Sequence, residues 1–242
     1  MEDIDPEYRG RPFGGVAMLC KNRSGLFFQE IKTPSDRIIV NDVTDSSGRT
    51  VQIIICVYMP FFDGKRENTD NFLETLDIIQ SIIDMYGMLA PIKLCGDFNA
   101  ALPTGKKLNK LWYRHKGYNQ HSKILFDFLV DNDLIALDLL YMQSVSFTYF
   151  SYGNNHFSWI DHIFSSSHDI SNVVKCNIVP LHENNLSDHL PVSLNMYIQV
   201  NESKPLTHSH RKPLGIVSAP PPKWNKPESV MLYNDILSEK LE

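Results

Sequence analysis

Three short segments of this sequence carry side chains that could handle a phosphate group through a divalent metal ion. The segments are Gly96-Asp97-Phe98-Asn99, Ser158-Trp159-Ile160-Asp161-His162 and Ser187-Asp188-His189-Leu190-Pro191. Each lies where an apolar, strand-like run gives way to a loop. Hydrolysis of a phosphodiester needs a hard cation, a group that orients or deprotonates the attacking water, and donors for the charge that grows on the phosphoryl oxygens. The carboxylate, amide and imidazole groups of these segments are suited to those tasks.

The types of side chain also indicate a pairing. An Asp beside a His at a strand end can place a metal ligand and a phosphate-facing imidazole at neighbouring backbone positions, while a second Asp fixes the tautomer of that imidazole. We therefore predict that Asp161 pairs with His189. Each motif alone is weak, because Asp and Asn most often bond their own backbone in turns and helix caps. The prediction depends on the coincidence of all three motifs with apolar runs.

The order of four motifs along the chain resembles the endonuclease/exonuclease/phosphatase superfamily. The motifs are Val57-Tyr58-Met59-Pro60, Gly96-Asp97-Phe98-Asn99, Trp159-Ile160-Asp161-His162-Ile163-Phe164 and Ser187-Asp188-His189-Leu190-Pro191. Within that superfamily, Arg11-Pro12-Phe13-Gly14-Gly15-Val16-Ala17 and the tail around Pro222-Lys223-Trp224 resemble the apurinic-type endonuclease domain of LINE-type non-LTR retrotransposons. The resemblance covers about residues 10–200 and implies DNA as the partner.

The resemblance implies a role for each matching residue on the side of the attacking water. Tyr58 would contact the scissile phosphate. Asp97 would position or activate the water, and Asn99 would steady the phosphoryl oxygens. These three residues are the first part of the predicted site.

The same resemblance implies a metal ion, Mg²⁺ or as an alternative Mn²⁺, and the residues around it. Asp188 would touch the metal ion, and His189, oriented by Asp161, would bind the phosphate. Thr148, in Ser146-Phe147-Thr148-Tyr149, would make a contact on the substrate side.

The order of motifs departs from the family near the N-terminus. In the family, an Asn on the first strand and a metal-binding Glu on the second precede the Gly-Gly strand, whereas only residues 1–10 stand before the segment that holds Gly14-Gly15. We therefore expect the first strands to be missing and the activity to be impaired, since even losses around a ligand typically cost about 10- to 100-fold. Gln29-Glu30 matches the family's Gln-Glu motif in letters but follows the Gly-Gly strand. We interpret Glu30 as an ordinary strand-end or hairpin residue.

Nucleic-acid binding, if present, must come from a local patch, because the net charge is −5. A basic cluster follows the first motif, interleaved with Trp112 and Tyr113; its members are Lys106, Lys107, Lys110, Arg114 and Lys116. Basic residues among aromatics are typical of loops that neutralise phosphates and stack on bases. A solvated loop with its aromatics packed underneath is the alternative. The position of the cluster at the mouth of the predicted site favours contact with nucleic acid.

Composition indicates an intracellular protein, in the nucleus or the cytoplasm. The chain has no apolar run of about 18 residues that could span a membrane, and its acidic start does not resemble a secretion signal. Four cysteines are scattered singly in apolar segments and are interpreted as small buried hydrophobes: Cys20, Cys56, Cys95 and Cys176. Apart from His189, the histidines before the tail are interpreted as loop or surface residues: His115, His121, His156, His162, His168 and His182.

The hydrophobic pattern predicts an α/β fold, a layered β-sandwich flanked by helices. Strands are predicted at residues 16–20, 37–43, 51–58, 92–95, 134–137, 147–150, 159–164, 173–179 and 191–197, and helices at residues 68–88 and 122–132. The segment Asp45-Ser46-Ser47-Gly48-Arg49 is predicted to turn a hairpin. Residues 1–200 would form this domain, residues 201–222 a Pro-rich linker and residues 223–242 an amphipathic helix.

Two classes of function remain open, and the oligomeric state is not indicated. The first is a Mg²⁺-dependent DNA endonuclease of retrotransposon origin. The second is a non-catalytic remnant or interaction module that keeps part of the fold. A phosphatase of the same superfamily is a third, less favoured alternative, because the Arg-Pro-Phe-Gly-Gly segment and Trp224 favour the nuclease branch.

Overall fold

The computed structural model describes residues 15–21, 25–102, 118–141, 143, 145–151, 153, 156–182, 185 and 187–200. The strands, in chain order, are β1 (Phe27–Ile31), β2 (Ile38–Thr44), β3 (Thr50–Tyr58), β4 (Ile92–Asp97), β5 (Leu134–Ala136), β6 (Tyr149–Ser151), β7 (His156–Ser158), β8 (Asp161–Ser166), β9 (Val173–Ile178) and β10 (Val192–Met196). The helices are α1 (Arg66–Tyr86), α2 (Gln120–Asp131) and α3 (Leu137–Leu140), with a 3₁₀ helix at Ser167–Asn172.

The centre of the fold is a six-stranded sheet with the order β1-β2-β3-β4-β8-β5. Only β3 and β4 run parallel within it, and α1 forms the crossover that a parallel pair requires. Two smaller antiparallel pairs, β9 with β10 and β6 with β7, complete the described strands. The predicted turn at 45–49 does join β2 to β3, and Gly48 adopts the positive φ of 82° that the turn needs.

One face of the sheet packs on α1 and α2. Strand periodicity turns Ile53, Ile55 and Val57 to this face, where they are buried with apolar side chains from α1 such as Phe72 and Ile79. Helix α2 begins with a capping box in which the Asn119 side chain accepts from the Ser122 amide at 3.1 Å and the Ser122 hydroxyl accepts from the Asn119 amide at 3.2 Å. The main core therefore lies between the sheet and these two helices.

The opposite face of the sheet carries a second, smaller core. Ile163 of β8 packs there with Leu137, Val173 and Cys176, and residues of β10 lean against this group. The small β9–β10 sheet thus covers the β4–β8 side of the large sheet. This confirms the predicted α/β fold with layered sheets and flanking helices.

One predicted strand is absent from the described chain. Residues 16–20 form no strand, and Leu19 has 80% of its surface exposed. The Asn41 side chain instead donates a hydrogen bond to the Met18 sulfur at 2.9 Å, so this run is held by a side-chain contact rather than by a strand ladder. The predicted linker and C-terminal helix, at 201–222 and 223–242, lie outside the described residues. None of the described helices has the length and apolar character needed to cross a bilayer.

Candidate active site

Three strand ends bring polar side chains into one row. Tyr58, the last residue of β3, pairs with Asp97, the last residue of β4, and Asp97 pairs in turn with Asp161, the first residue of β8. Paired residues on neighbouring strands project from the same face of a sheet. The row therefore crosses the ends of the three strands, on the face of the sheet opposite α1.

The loop after β4 is held in a tight conformation. Gly96 has a φ of 144°, and a Cβ added there would lie 1.9 Å from the Val57 carbonyl oxygen, so only glycine fits. Asn99 adopts a left-handed φ of 48° and donates its amide hydrogen to Asp97 Oδ1 at 2.8 Å. Its side-chain Nδ2 donates to the Met59 carbonyl oxygen at 2.8 Å. Asn99 thus fixes the Asp97 carboxylate and links the ends of β3 and β4.

The Asp161 carboxylate and the His189 imidazole are in direct contact. His189 Nδ1 lies 2.9 Å from Asp161 Oδ2 and 3.1 Å from Oδ1. A carboxylate accepts hydrogen bonds, so Nδ1 carries the hydrogen and Nε2 is the ring atom that can meet a phosphoryl oxygen. The Tyr149 ring packs beside the imidazole at a tilt of 54°, with ring centroids 4.9 Å apart.

The loop that carries His189 is fixed by its own side chains. The Ser187 hydroxyl accepts from the His189 amide at 3.0 Å, and the Asn185 side chain donates to the His189 carbonyl oxygen at 2.9 Å. The Asp188 carbonyl oxygen accepts from the Phe150 amide at 2.8 Å, which anchors the loop to β6. The imidazole is therefore held from its backbone as well as by Asp161.

The structure corrects the sequence-based interpretation of Thr148. A substrate-side contact was expected, but Thr148 is fully buried. Its hydroxyl accepts hydrogen bonds from the amides of Ile160 and Asp161, both at 3.0 Å, and its carbonyl oxygen accepts from the Leu190 amide at 2.6 Å. Thr148 therefore positions the segments that carry Asp161 and His189, because no face of it is available to a ligand.

The structure also corrects the sequence-based interpretation of His162, which is buried rather than exposed in a loop or at the surface. Its Nδ1 donates to Asp138 Oδ2 at 2.8 Å and its Nε2 to the Ala100 carbonyl oxygen at 3.2 Å. Neither acceptor carries a hydrogen, so both ring nitrogens must be protonated for both bonds to form. Burial disfavours the cation, but the charge and hydrogen bond of Asp138 and the Ala100 carbonyl outweigh it and raise the pKa of His162.

Asp138 completes a buried network that the sequence analysis missed. It also accepts from Trp159 Nε1 at 2.8 Å and from the Ile163 amide at 3.0 Å. The alternation of β8 could have shown that His162 shares a face with the buried Phe164. Its partner on α3 is brought there only by the tertiary fold. His121, also interpreted as a surface residue, is likewise buried, stacked on Phe72 at 4.1 Å between ring centroids.

Arg37 is another residue that the sequence analysis did not single out. It stands just before β2, and its guanidinium carbon lies 5.5 Å from the centroid of the Tyr58 ring. Its Nη1 donates to the Tyr58 carbonyl oxygen at 3.4 Å. A cation therefore flanks the Tyr58 end of the row, on the side away from the carboxylates.

The charged residues of the site shift one another's pKa values. Burial and then the charge of Asp161 raise the pKa of Asp97 to about 6. Burial opposes protonation of His189, but the hydrogen bond and charge of Asp161, with the charges of Asp97 and Asp188, raise its pKa above the usual value. The site thus favours the protonated form of the His189 imidazole beside two carboxylates that repel one another.

The donor set of the site suits a hard cation. Among the described residues, Asp97, Asp161 and His189 form a group whose potential ligand atoms lie within 4.8 Å of one another. Burial, and after it the repulsion from Asp161, raises the pKa of Asp97, and a cation between the two carboxylates would relieve this repulsion. Asp188, the metal ligand expected from the sequence, is not part of this group, although its charge acts on His189. A cleft of about 460 Å³ opens over all three residues of the group.

Glu30, which the sequence indicated as an ordinary strand-end or hairpin residue, lies away from this geometry. Glu30 is exposed on the edge strand β1, three strands from β4, and its carboxylate pairs with the Lys32 ammonium at 3.0 Å. It stands opposite Asn41, several residues along the strands from the row at Tyr58. The predicted basic contacts lie outside the described residues: Lys106, Lys107, Lys110 and Arg114.

Solved structures share this fold at low sequence identity. A 3′ phosphatase, NExo from Neisseria, bound to product DNA hairpin, is 18% identical with a TM-score of 0.52 over 71% of this chain and 70% of that chain. The 3′-5′ exonuclease NExo from Neisseria meningitidis is 19% identical with a TM-score of 0.50 over 71% and 70% of the two chains. The endonuclease domain of TRAS1, a telomere-specific non-LTR retrotransposon, is 17% identical with a TM-score of 0.48 over 71% and 68%. None of the curated proteins matches the chain.

A family model gives the more specific relation. It is described as endonuclease-reverse transcriptase and matches residues 52–193. That span covers more than half of the chain and includes the row of Tyr58, Asp97 and Asp161 together with His189. This protein belongs to the endonuclease-reverse transcriptase family, within the endonuclease/exonuclease/phosphatase superfamily.

Proposed function

We propose that this protein is a divalent-metal-dependent DNA endonuclease of retrotransposon origin. The observation that carries the proposal is the row of Tyr58, Asp97 and Asp161 at the ends of three neighbouring strands, with His189 hydrogen-bonded to Asp161. Asp97, Asp161 and His189 line one cleft. The family relation supports phosphodiester hydrolysis, and the neighbouring folds belong to nucleases and a phosphatase.

The chain's own residues can divide the work of hydrolysis. Asp97 is suited to orient the attacking water, because its carboxylate can accept a hydrogen bond from that water beside a bound cation. The imidazolium of His189, held through Nδ1 by Asp161, would offer its Nε2 hydrogen to a phosphoryl oxygen. The Tyr58 hydroxyl would contact the scissile phosphate from the far end of the row.

The metal ion would be held by the two carboxylates of the site, Asp97 and Asp161, with the charge of Asp188 close by. When bound, Mg²⁺ or Mn²⁺ would neutralise charge on the phosphoryl oxygens. We propose that this site binds the metal ion weakly and that the weak binding limits the hydrolytic activity. The third member of the set is an imidazole that already binds Asp161, and Mg²⁺ prefers oxygen ligands.

Nicking of supercoiled plasmid DNA tests the proposal. The full chain is incubated with MgCl₂ or MnCl₂ and with EDTA, beside the variants Asp97→Ala and Glu30→Ala. We expect metal-dependent nicking that Asp97→Ala lowers by at least about 100-fold. Glu30→Ala is the matched control, because Glu30 is an exposed acidic residue remote from the row.

Two results would contradict the endonuclease function. Nicking that survives Asp97→Ala would come from another protein or another site. A folded wild-type chain that never nicks DNA at any metal concentration would support the non-catalytic alternative. Release of phosphate from a 3′-phosphorylated oligonucleotide, without nicking, would instead identify a phosphatase. The intracellular location expected from the sequence stays a prediction, as does direct contact with DNA.

A further inference from the structure

Two cysteines stand side by side directly behind the catalytic row. Cys56 of β3 pairs with Cys95 of β4 in the parallel ladder, and their sulfur atoms lie 3.4 Å apart. Each is two residues before a member of the row, Tyr58 or Asp97, so strand periodicity turns all four side chains to the same face. Neither cysteine has a role in the proposed hydrolysis.

We propose that Cys56 and Cys95 are a reversible redox pair, which a hydroperoxide oxidises to a disulfide between the two strands. We propose further that this bond lowers the hydrolytic activity by shifting Tyr58 relative to Asp97. The disulfide itself does not depend on the proposed function, whereas its effect on hydrolysis does.

The strand geometry permits the bond. Neighbouring strands lie about 4.8 Å apart, which is within the range of about 4.4 to 6.8 Å between the Cα atoms of disulfide-bonded residues. The sulfur atoms must approach from 3.4 Å to about 2.05 Å, a movement of roughly 1.3 Å. Rotation about the side-chain bonds and a small change in strand spacing can supply this movement. No rearrangement of the fold is needed.

A small oxidant can reach the pair. Cys56 and Cys95 are both partly exposed, and Cys95 lines the cleft that also contains Asp97, Asp161 and His189. Cys176 is buried in the second core and has no such access. Cys20 is exposed and lies near Cys56, so it is the competing partner for a disulfide.

The chemistry balances with hydrogen peroxide as the oxidant. One cysteine sulfur attacks a peroxide oxygen, the O–O bond breaks, and a sulfenic acid and one water molecule result. The other sulfur attacks the sulfenic sulfur, forms the S–S bond and releases a second water molecule. The two thiols lose two electrons and two protons, and the peroxide gains them. A dithiol reductant reverses the step by exchange.

The effect on the site follows from tight packing at the next position along the strands. Gly96 faces Val57 so closely that an added Cβ would lie 1.9 Å from the Val57 carbonyl oxygen. A change in strand spacing at the cysteines therefore cannot be absorbed at Gly96 and passes on to Tyr58 and Asp97. A misplacement of about 1 Å can cost about 100-fold in rate. Strain in such a bond also raises its reduction potential, so the disulfide is easily reduced.

Peptide mapping tests the pair directly. The full chain is treated with hydrogen peroxide, free thiols are alkylated, and the protein is digested without reduction for mass spectrometry. We expect a linked peptide that joins Cys56 to Cys95, lost after dithiothreitol treatment and absent from Cys56→Ser and Cys95→Ser. Cys20→Ser is the matched control and should form the same link as the wild type. Circular dichroism checks that each variant is folded.

Absence of the linked peptide, or a link between Cys20 and Cys56 in its place, would overturn the redox pair.

In the second arm we expect oxidation to lower nicking at least about tenfold in the wild type and in Cys20→Ser. Dithiothreitol should restore the rate, and Cys56→Ser should be insensitive to oxidation. A mapped disulfide without loss of nicking would refute the coupling to the site. A chain that never nicks DNA contradicts the proposed function instead, and the peptide map still decides the disulfide.

Discussion

The contact between Asp161 and His189 determines which form of the imidazole meets the substrate. The Asp161 carboxylate lies 2.9 Å from Nδ1, and its hydrogen bond and charge raise the pKa of the ring against the opposing effect of burial. It also raises the pKa of Asp97 through repulsion. One carboxylate thus raises the pKa of two neighbouring groups, the His189 imidazole and the Asp97 carboxyl, within a single cleft.

Replacing this carboxylate by an amide gives the first prediction. In Asp161→Asn the pKa of His189 should fall, because the attractive charge is gone while burial remains. Nicking should drop by about 100-fold or more. The alkaline limb of its pH profile, which follows loss of the His189 proton, should move to lower pH. NMR titration of the metal-free protein measures the pKa directly, and an unchanged His189 pKa would refute the pairing.

Thr148 gives a second prediction at the residue scale. Thr148→Val keeps the shape of the side chain but removes, at a fully buried position, the acceptor of the Ile160 and Asp161 amides. We expect the free energy of unfolding to fall by roughly 2 to 4 kcal/mol. Thr148→Ser retains the hydroxyl and is the matched control, with a smaller loss from the missing methyl group. Equal stability of the Val and Ser variants in urea unfolding would show that the hydroxyl is not needed.

At the scale of elements, the close contact of β3 with β4 sets the spacing of the site. Gly96 combines a φ of 144° with a backbone neighbour that leaves no room for a Cβ. Gly96→Ala should therefore lower the free energy of unfolding by at least about 3 kcal/mol, from backbone strain together with overpacking. Gly153→Ala, where an added Cβ meets no atom within 4 Å, should stay within about 0.5 kcal/mol of the wild type. Chemical denaturation of both variants checks the difference.

Most elements could be predicted from the sequence because their patterns are local. The Val- and Ile-rich run predicted at 51–58 is β3 (Thr50–Tyr58), and the periodic run predicted at 68–88 is α1 (Arg66–Tyr86). The run at 16–20 has the same apolar character but no strand ladder in the structure. Strand formation requires a partner, and a local pattern does not specify one.

The active-site motifs were also visible in the sequence, whereas the residues that hold them in place were not. Asp97 and Asp161 lie at strand ends and His189 in the loop before β10, and they meet in the structure as a group. Asp138 and Thr148 hold the site in place through hydrogen bonds to residues that are distant in the sequence. These contacts depend on how α3 and β6 pack. Polar residues of this kind look like ordinary loop residues until their partners are known.

At the scale of the whole molecule, the fold brings the carboxylates of Asp97 and Asp161 together at one end of the central strands. The net charge is −5, so affinity for DNA cannot come from the average surface. In the metal-free protein, the repulsion at this end opposes folding once Asp97 is ionised. A divalent cation relieves that repulsion and prepares this end for a phosphate. Metal binding and stability should therefore be linked through the same carboxylate.

The raised pKa of Asp97 sets the direction in which the stability of the metal-free protein changes with pH. The pKa of Asp97 in the folded protein, about 6, lies above its unfolded value of 3.8, so the folded state binds this proton more tightly. The stability that the proton contributes is present below pH 3.8 and is lost as the pH rises through about 6. His162 and His189, whose folded pKa values are raised above 6.5, act in the same direction at higher pH. The metal-free protein should thus lose stability from mildly acidic to neutral pH.

The final prediction combines this pH dependence with metal binding. Because the cation needs the ionised carboxylate, MgCl₂ at about 10 mM should raise the Tm clearly at a pH of about 7.5 and only slightly at a pH of about 5. Asp97→Asn should have a higher metal-free Tm than the wild type at the higher pH, since the cost of burying a charge and the repulsion with Asp161 are both removed. It should also lose most of the metal response. NaCl at equal ionic strength controls for general screening. Differential scanning calorimetry gives both comparisons. A metal response that is equal at the two pH values, or unchanged in Asp97→Asn, would place the cation away from this carboxylate and would remove the electrostatic basis for the proposed hydrolytic site.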